Sequence, residues 1–267
     1  MDESLDTLVA AVRASSKYDD ICLEVLRSIG ARELRVRRNL KEAIKATKNK
    51  LHQVGAAYLG ERPHYAQWLM DLRDAQASGP EALRAVCLRL LRVHTSSQER
   101  LPILEEFYAT VLAGIAPVHS VLDIACGLNP LAIPWMPLAP GAAYYAHDMY
   151  LELMGFVQGF LEILGQTGRA EAGDVLQLPP GSEVQVAYLL KAIPCLEQLD
   201  KDAGRRLLDT VQARHLLISF PVHSLGGRDK RMAEHYEAHF RELLAGRPWS
   251  VQRFEFASEL AFLVSKR

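Results

Sequence analysis

The sequence predicts an α/β domain preceded by a helical region. Apolar residues recur every three or four positions through the first half of the chain, which is typical of helices. After Pro117, short β-branched runs alternate with helical segments, as in a parallel sheet. Two apolar runs at 251–256 and 260–265 are separated by a turn and predict an antiparallel pair. We therefore expect a helical domain over residues 1–95 and an α/β domain over residues 96–267.

Each predicted element rests on one of these patterns. Ser78, Gly79 and Pro80 separate two of the helices. Helices are predicted at 5–12, 21–29 (ending before Gly30), 40–51, 65–77, 81–93, 101–113, 149–164 and 201–212. Strands are predicted at 118–125, 142–146, 169–172, 184–190 and 215–220, before the final pair.

The composition narrows the class of protein. Of the 267 residues, 49% are apolar and 24% are charged, which excludes collagen-like and disordered chains. No apolar run approaches the roughly 20 residues of a membrane helix, and Met1–Ser4 lacks the features of a secretory signal. Cys22, Cys87, Cys126 and Cys195 lie far apart, so neither a disulfide framework nor a metal site is expected. We predict a cytoplasmic protein.

Charge is divided unevenly along the chain. Residues 1–95 carry 16 Lys and Arg against 12 Asp and Glu, a net charge of +4, while residues 96–267 carry −5. Residues 32–50 alone carry +6. Within them Arg38, Lys41 and Lys45 are spaced to share one helix face. Such a face suits a polyanion, although a solvated helix face would have the same composition.

The segment 121–130 has the pattern of a cofactor-binding turn. An apolar strand runs into small residues, and Ala125 and Gly127 would let a cofactor approach the backbone. About twenty residues later the next strand ends at Asp148, where a carboxylate can accept hydrogen bonds from a ribose. The full G-x-G-x-x-G pattern is absent, which disfavours a dinucleotide. An ordinary strand and turn of an α/β protein is the alternative.

Two further strand ends carry charged residues. Asp174 follows the third strand and could bind an adenine amino group or only cap a helix. Lys191 ends the strand at 184–190 and could hold an anionic group or simply be solvated.

Three other segments each allow a structural and a functional interpretation. The polar segment 94–100 is interpreted from its residues as a capping box of Ser96 and Glu99. The loop 219–231 carries three cations and suits a nucleic-acid backbone or a solvated surface. His235 and His239 are interpreted as surface residues.

Taken together and in order, these motifs resemble the N7-guanine branch of the bacterial aminoglycoside-resistance methyltransferases that modify 16S ribosomal RNA. The resemblance spans nearly the whole chain. It rests on Leu51-His52 with Tyr58, His94–Leu101, Asp123–Leu131, Leu189–Glu197, Ser219–Met232, Glu259-Leu260 and Leu263-Val264. It implies a Rossmann-like class I methyltransferase core that uses S-adenosyl-L-methionine. It also implies a helical N-terminal extension that docks on the 30S ribosomal subunit, with the enzyme acting as a monomer.

The resemblance also implies which residues contact the cofactor. They are Tyr58, His94, Thr95, Ser96, Arg100, Ala125, Gly127, Asp148, Asp174, Val175, Leu190 and Leu199. Arg100 is expected to bind the methionine carboxylate through two parallel hydrogen bonds, Asp148 the ribose and Asp174 the adenine. At Leu199 the family usually has a glutamine, and here Gln198 is adjacent.

The expected RNA contacts combine the basic helix face and the strand-end lysine with two residues of the family's cationic loop. They are Arg38, Lys41, Lys45, Lys191, Arg228 and Lys230. The cationic loop departs from the family at Asp229 and Arg231. The target base is expected to turn out of the RNA and stack on Trp135 or Phe220, beside a polar pocket near Asn129 and Pro130.

The implied chemistry needs no general base. The N7 atom of guanine has a free lone pair, so no proton leaves the nucleophile and catalysis is mainly positioning. No catalytic side chain is therefore expected. A nicotinamide oxidoreductase, a small-molecule methyltransferase, a non-catalytic RNA-binding protein and an adenine methyltransferase are the competing hypotheses.

Overall fold

A seven-stranded sheet lies at the centre of the computed structural model, which describes residues 2–56, 63–177, 183–222 and 230–266. The strand order is β3-β2-β1-β4-β5-β7-β6. Strands β1 to β5 are parallel, and β7 is antiparallel to both β5 and β6. The strands are β1 Val118–Ile124, β2 Leu138–Asp148, β3 Thr167–Ala172, β4 Val184–Leu190, β5 Ala213–Pro221, β6 Ser250–Glu255 and β7 Glu259–Ser265. The predicted parallel sheet with an antiparallel pair at its end is confirmed.

Eleven α-helices surround this sheet within the described ranges. They are α1 Asp2–Arg13, α2 Leu23–Val36, α3 Leu40–Leu51, α4 Tyr65–Ser78, α5 Pro80–Leu91, α6 Thr95–Arg100, α7 Leu104–Val111, α8 Leu151–Ile163, α9 Ala192–Leu199, α10 Ala203–Thr210 and α11 Lys230–Leu244. A π-helical turn, His52–Ala56, follows α3, and short 3-10 helices occur at Leu101–Ile103, Ala113–Ile115 and Asn129–Trp135. In the described part of the chain, no helix is long and apolar enough to cross a membrane.

The helix predictions need three corrections. Gly30 does not end α2; it lies inside the helix, where a Cβ atom would stand 2.7 Å from Cδ2 of Leu8, so its missing side chain lets α1 pack closely. The predicted helix at 101–113 is α7 flanked by two 3-10 turns, since Pro102 cannot donate within a continuous helix. Helix α9 was not predicted, because its residues follow β4 after a single residue.

The buried side chains form three clusters. Alternate residues of the strands contact opposite layers: Val121 packs with α7 and α8, and Leu122 with α9 and α10. Buried residues of α4 and α5 belong to the first of these layers. The third cluster joins α1, α2 and α3 and lies against Met149 and Tyr150. The hydrophobic cores thus divide after Leu51, and the domain boundary at residue 95 stays a prediction.

Candidate active site

A cavity of about 330 Å³ opens at the carboxyl ends of the central strands. It lies where the strand order reverses, between β1 and β4, and residues after β2 also line it. In doubly wound sheets ligands bind in this crevice, because the chain leaves adjacent strands in opposite directions there. The volume falls within the range of cavities that hold small ligands. Most of the predicted cofactor contacts line it: His94, Thr95, Ser96, Ala125, Gly127, Asp148, Asp174, Val175, Leu190 and Leu199.

The turn after β1 has a backbone that few residues adopt. Ala125 has φ +52° and Gly127 has φ +50°, both in the left-handed region. A Cβ atom on Gly127 would lie 3.2 Å from the ring of His94, so glycine allows His94 to cover the turn. The N–H group of Gly127 donates to Oδ2 of Asp148 at 2.9 Å. These contacts fix the turn at the edge of the cavity.

Asp148 and Asp174 place two carboxylates along the cavity wall. Oδ1 of Asp148 accepts from the N–H of Met149 at 2.7 Å. Burial raises the pKa of Asp148, and its bonds from backbone N–H groups oppose that rise. Asp174 is buried and accepts from the N–H of Leu176 at 3.0 Å and from Nε2 of Gln177 at 3.0 Å. Hydrogen bonds from the protein therefore fix the orientation of both carboxylates.

His94 begins α6 and lies in the cavity wall. Burial, followed by the charges of Arg100 and Lys191, lowers its pKa to about 4, so the imidazole is neutral at pH 7. The capping box predicted from Ser96 and Glu99 is wrong, because His94 is the residue before the first helical turn. Ser97 instead contacts Nδ1 of His94 at 3.3 Å.

Arg100 is buried behind the cavity rather than lining it. Its Nε and Nη2 atoms donate to the two carboxylate oxygens of Glu259, at 2.9 and 2.6 Å. Its Nη1 atom donates to Oδ1 of Asn129 at 2.9 Å. The two-pronged geometry predicted for a methionine carboxylate is therefore taken by Glu259. No sequence pattern indicates this pairing, because Arg100 lies on α6 and Glu259 lies on β7, far apart in the chain.

Lys191 is also buried, and its role as an RNA contact stays a prediction. Its side chain lines the cavity with 7% exposure. Its Nζ lies 2.6 Å from Oε2 of Glu99 and 3.7 Å from Oε2 of Glu259, and it donates to the carbonyl of Ser96 at 3.3 Å. The ammonium group is therefore paired with two carboxylates at the cavity wall. Lys191 also has φ +56°, a costly conformation for a non-glycine residue.

Asp123 extends the buried network away from the cavity. Burial raises its pKa to about 7, although hydrogen bonds from Asn129 and Tyr144 and the charge of Arg100 oppose the rise. Nδ2 of Asn129 and the Tyr144 hydroxyl donate to its Oδ2 at 2.8 and 2.6 Å. The polar pocket predicted near Asn129 and Pro130 is wrong, because the Asn129 amide is used within this network.

The other side of the cavity was missed by the sequence analysis. It is formed by α9, the end of β5 and α11, through Pro194, Cys195, Pro221, Met232 and Tyr236. Four of them lie within the motifs Leu189–Glu197 and Ser219–Met232, although no role was predicted for them.

Both aromatic residues predicted to stack on the target base lie elsewhere. Phe220 is fully buried, and its ring stacks on Tyr236 with 5.1 Å between centroids. Trp135 packs against Arg84 and does not line the cavity. Tyr236, backed by Phe220, is the aromatic side chain that faces the cavity on this side.

The remaining predicted residues have three outcomes. Arg38, Lys41 and Lys45 are exposed, at the start and along one face of α3. Tyr58 and Arg228 lie outside the described residues, and Lys230 is the first residue of α11.

The two histidines of α11 differ in their surroundings. His235 is exposed, while His239 is partly buried and its Nε2 lies 2.8 Å from Oε2 of Glu197. Among residues whose structure is described, no group of three or more His, Cys, Asp or Glu is arranged to hold a metal ion.

The strand order, the left-handed turn and the two carboxylates define an α/β protein with a nucleoside-cofactor site at its switch point. The family model for ribosomal RNA methyltransferases (FmrO) matches residues 14–263. The chain belongs to this family, as the sequence motifs predicted.

Relatives are similar along their whole length. A 16S rRNA (guanine(1405)-N(7))-methyltransferase of Frankia casuarinae is 36% identical over 99% of this chain and 95% of its own. One of Micromonospora echinospora is 34% identical over 99% and 98%. The crystal structure of the 16S rRNA methyltransferase RmtF, in complex with S-adenosyl-L-homocysteine, has a TM-score of 0.84, 30% identity and 100% coverage of both chains. The predicted methyltransferase core with a helical N-terminal region is thereby confirmed.

Proposed function

We propose that this enzyme transfers a methyl group from S-adenosyl-L-methionine to N7 of guanine 1405 in 16S rRNA of the 30S subunit, which confers aminoglycoside resistance. One observation carries the proposal: ten residues expected to contact the cofactor line a single cavity at the switch point of the sheet. Relatives of that activity match the chain along its length. The same cavity has a second wall, formed by α9 and α11, against which a base can be placed.

The cavity residues suit a cofactor that carries a positive charge. When bound, S-adenosyl-L-methionine supplies an electrophilic methyl group on a sulfonium. His94 is neutral at pH 7 and adds no charge beside it. The ammonium of Lys191 is balanced by Glu99 and Glu259. Asp148 and Asp174 both line the cavity, which supports their proposed roles as acceptors from the ribose hydroxyls and from the adenine amino group.

The main task of the protein in this reaction is to align N7 of the guanine with the methyl group of the cofactor. The N7 lone pair forms the new bond to the methyl carbon while the carbon–sulfur bond breaks, so no proton has to be removed. Holding both reactants in line can supply about 7–11 kcal/mol in favourable cases. The fixed turn at Ala125 and Gly127 and the buried pairing of Lys191 provide a rigid floor for that alignment.

Docking is assigned to the helical region, residues 1–95. Arg38, Lys41 and Lys45 are exposed, and no ion pair involves them within the described parts of the chain. Cations arranged in this way bind phosphates of folded RNA without recognising sequence. We infer that the enzyme acts in the cytoplasm, as a monomer, on assembled 30S subunits in preference to free 16S rRNA.

The test is methylation of purified, unmethylated 30S subunits and of naked 16S rRNA. Borohydride and aniline cleave RNA at N7-methylguanine, and primer extension locates the break. We expect a new stop at guanine 1405 in 30S subunits and little or none in naked RNA. Methyl transfer without aniline cleavage would instead favour an adenine target, and efficient methylation of a short free hairpin would contradict docking on the assembled subunit.

A further inference from the structure

Two cations of the helical region hold the end of α9. The carbonyl of Leu199, the last residue of α9, accepts from Nη1 of Arg32 at 3.3 Å and from Nζ of Lys50 at 3.4 Å. Nη1 of Arg32 also lies 3.1 Å from Oδ2 of Asp200. The final carbonyls of a helix lack partners within it and carry partial negative charge, so cations are favourable there.

Hydrogen bonds connect Arg32 to Asp174, the carboxylate proposed to bind the adenine of the cofactor. Its Nη2 donates to Oγ of Ser28 at 3.1 Å. Nε2 of Gln177 donates to the same Oγ at 2.7 Å and to Oδ2 of Asp174 at 3.0 Å. A continuous set of hydrogen bonds therefore joins the end of α9, through α2, to Asp174.

The contact lies in the cavity wall itself. Arg32 lines the cavity together with Val25 and Ile29 of α2, and Gln198 and Leu199 of α9 line it as well. The N-terminal helices thus form part of the wall that faces a bound cofactor.

Arg32 and Arg35 differ in their surroundings, although both belong to the basic stretch. The side chain of Arg32 is 33% exposed and engaged by Asp200, Leu199 and Ser28. Arg35 lies three residues further along α2, is exposed, and has no ion pair within the described ranges. Although both residues lie on α2, Arg32 is therefore paired within the protein and Arg35 is solvated.

We propose that Arg32 is a positioning residue for the cofactor: by joining Leu199 and Asp200 to Ser28, it fixes Gln177 and Asp174 and so sets the adenosine side of the cavity. This inference rests on the proposed function and deepens it. It gives the helical region a second role, in cofactor binding, beside docking. Arg206 of α10 also binds Asp200, so α9 stays anchored to the α/β core when Arg32 is replaced.

The test is calorimetric titration of the full-length protein with S-adenosyl-L-homocysteine. Arg32→Met removes the donors and keeps an apolar stem, and we expect about tenfold weaker binding, as for the loss of a hydrogen bond to a charged group. Ser28→Ala interrupts the same path without changing charge and should weaken binding about threefold. Arg35→Met, the matched control on the same helix, should leave this affinity unchanged. Arg32→Lys should lie between the wild type and Arg32→Met, since one ammonium cannot serve all three acceptors.

Kinetics distinguish positioning from general damage. With 30S subunits as substrate, we expect Arg32→Met to raise KM for S-adenosyl-L-methionine while kcat changes less than twofold. Equal losses in kcat and in S-adenosyl-L-homocysteine affinity for Arg32→Met and Arg35→Met would overturn the proposal. Unchanged affinity in both Arg32→Met and Ser28→Ala would overturn it as well. If Arg32→Met fails to fold, Ser28→Ala and Arg32→Lys decide. If the wild type itself binds no S-adenosyl-L-homocysteine, the proposed function fails. If the wild type binds it and the variants bind it equally tightly, only this inference fails.

Discussion

Lys191 and Lys45 carry the same ammonium group in opposite surroundings. Lys191 has 7% of its side chain exposed and lies between Glu99 and Glu259. Lys45 is exposed on α3 and has no ion pair within the described parts of the chain. A buried charge costs several kcal/mol unless it is paired, while an exposed charge costs almost nothing. The floor of the cavity therefore depends on each of its charges, and the face of α3 is free to serve a partner.

The largest expected effect is on the buried side of this comparison. Glu259 is the carboxylate shared by Arg100 and Lys191. Glu259→Gln removes the negative charge that both cations share. We therefore expect a loss of about 3–5 kcal/mol in the free energy of unfolding. Urea denaturation measures this loss. Glu255→Gln, on the neighbouring strand β6 and 60% exposed, is the control and should cost less than about 1 kcal/mol. Equal costs would remove the distinction between the two surroundings.

Asp123 gives the buried network a dependence on pH. Burial raises its pKa from 3.8 to about 7, so the folded protein holds this proton more tightly than the unfolded chain does. Its contribution to stability is complete below pH 3.8 and is lost as the pH rises through 7, by up to about 4 kcal/mol. Asp123→Asn removes the titration. We expect the stability of the wild type, relative to this variant, to fall between pH 4 and 7 in denaturation series.

His94 changes stability with pH in the opposite direction, because its pKa is lowered to about 4. Its contribution is present above pH 6.5 and is lost as the pH falls toward 4. The comparison with Asp123→Asn isolates the carboxyl group from this opposing slope. A constant difference between wild type and variant across pH 4–7 would show that Asp123 does not titrate there.

The surroundings of Asp148 are intermediate between those of a buried and an exposed charge. Its carboxylate lies at the cavity surface but accepts hydrogen bonds from backbone N–H groups. Asp148→Ala should weaken S-adenosyl-L-homocysteine binding by about 1–3 kcal/mol, because it removes an acceptor for the ribose and frees the turn at Gly127. Calorimetry with a folded variant measures the change. Unchanged affinity would exclude Asp148 from the cofactor site.

The smallest effect on the isolated protein is expected at α3. Replacing Arg38, Lys41 and Lys45 with glutamate should change the free energy of unfolding by no more than about 0.5 kcal/mol per site. Binding to 30S subunits should weaken, and its dependence on salt should become shallower, because fewer phosphate contacts remain. Cofactor affinity should be unchanged. Full-strength binding across a salt series would show that this face is only solvated.

The sequence alone was sufficient for most strands, and most of the residues it indicated as cofactor contacts line one cavity. Both follow from local rules: Val184–Leu190 is a continuous apolar run, and Ala125 and Asp148 mark strand ends. What it could not supply was the pairing of distant charges. Arg100 and Glu259 are 159 positions apart, and their ion pair exists only because β7 enters the sheet beside β5.

The inward orientations of Lys191 and Phe220 were not predicted, for one physical reason. Residue type and a strand end indicated what each side chain could bind, but the direction in which it points depends on tertiary packing. Lys191 turns inward because Glu99 and Glu259 meet it there. Phe220 lies within a stack of Tyr236, Phe240 and Phe262.

The position of Glu259 at the start of β7 also sets an order of assembly. Synthesis proceeds from the N-terminus, so Arg100 and Lys191 exist before their shared carboxylate has been made. A chain that closed around them early would enclose two cations without it, which is unfavourable. This end of the sheet is therefore expected to stay open until β7 arrives between β5 and β6. Completion of the buried charge network thus has to wait for the synthesis of Glu259.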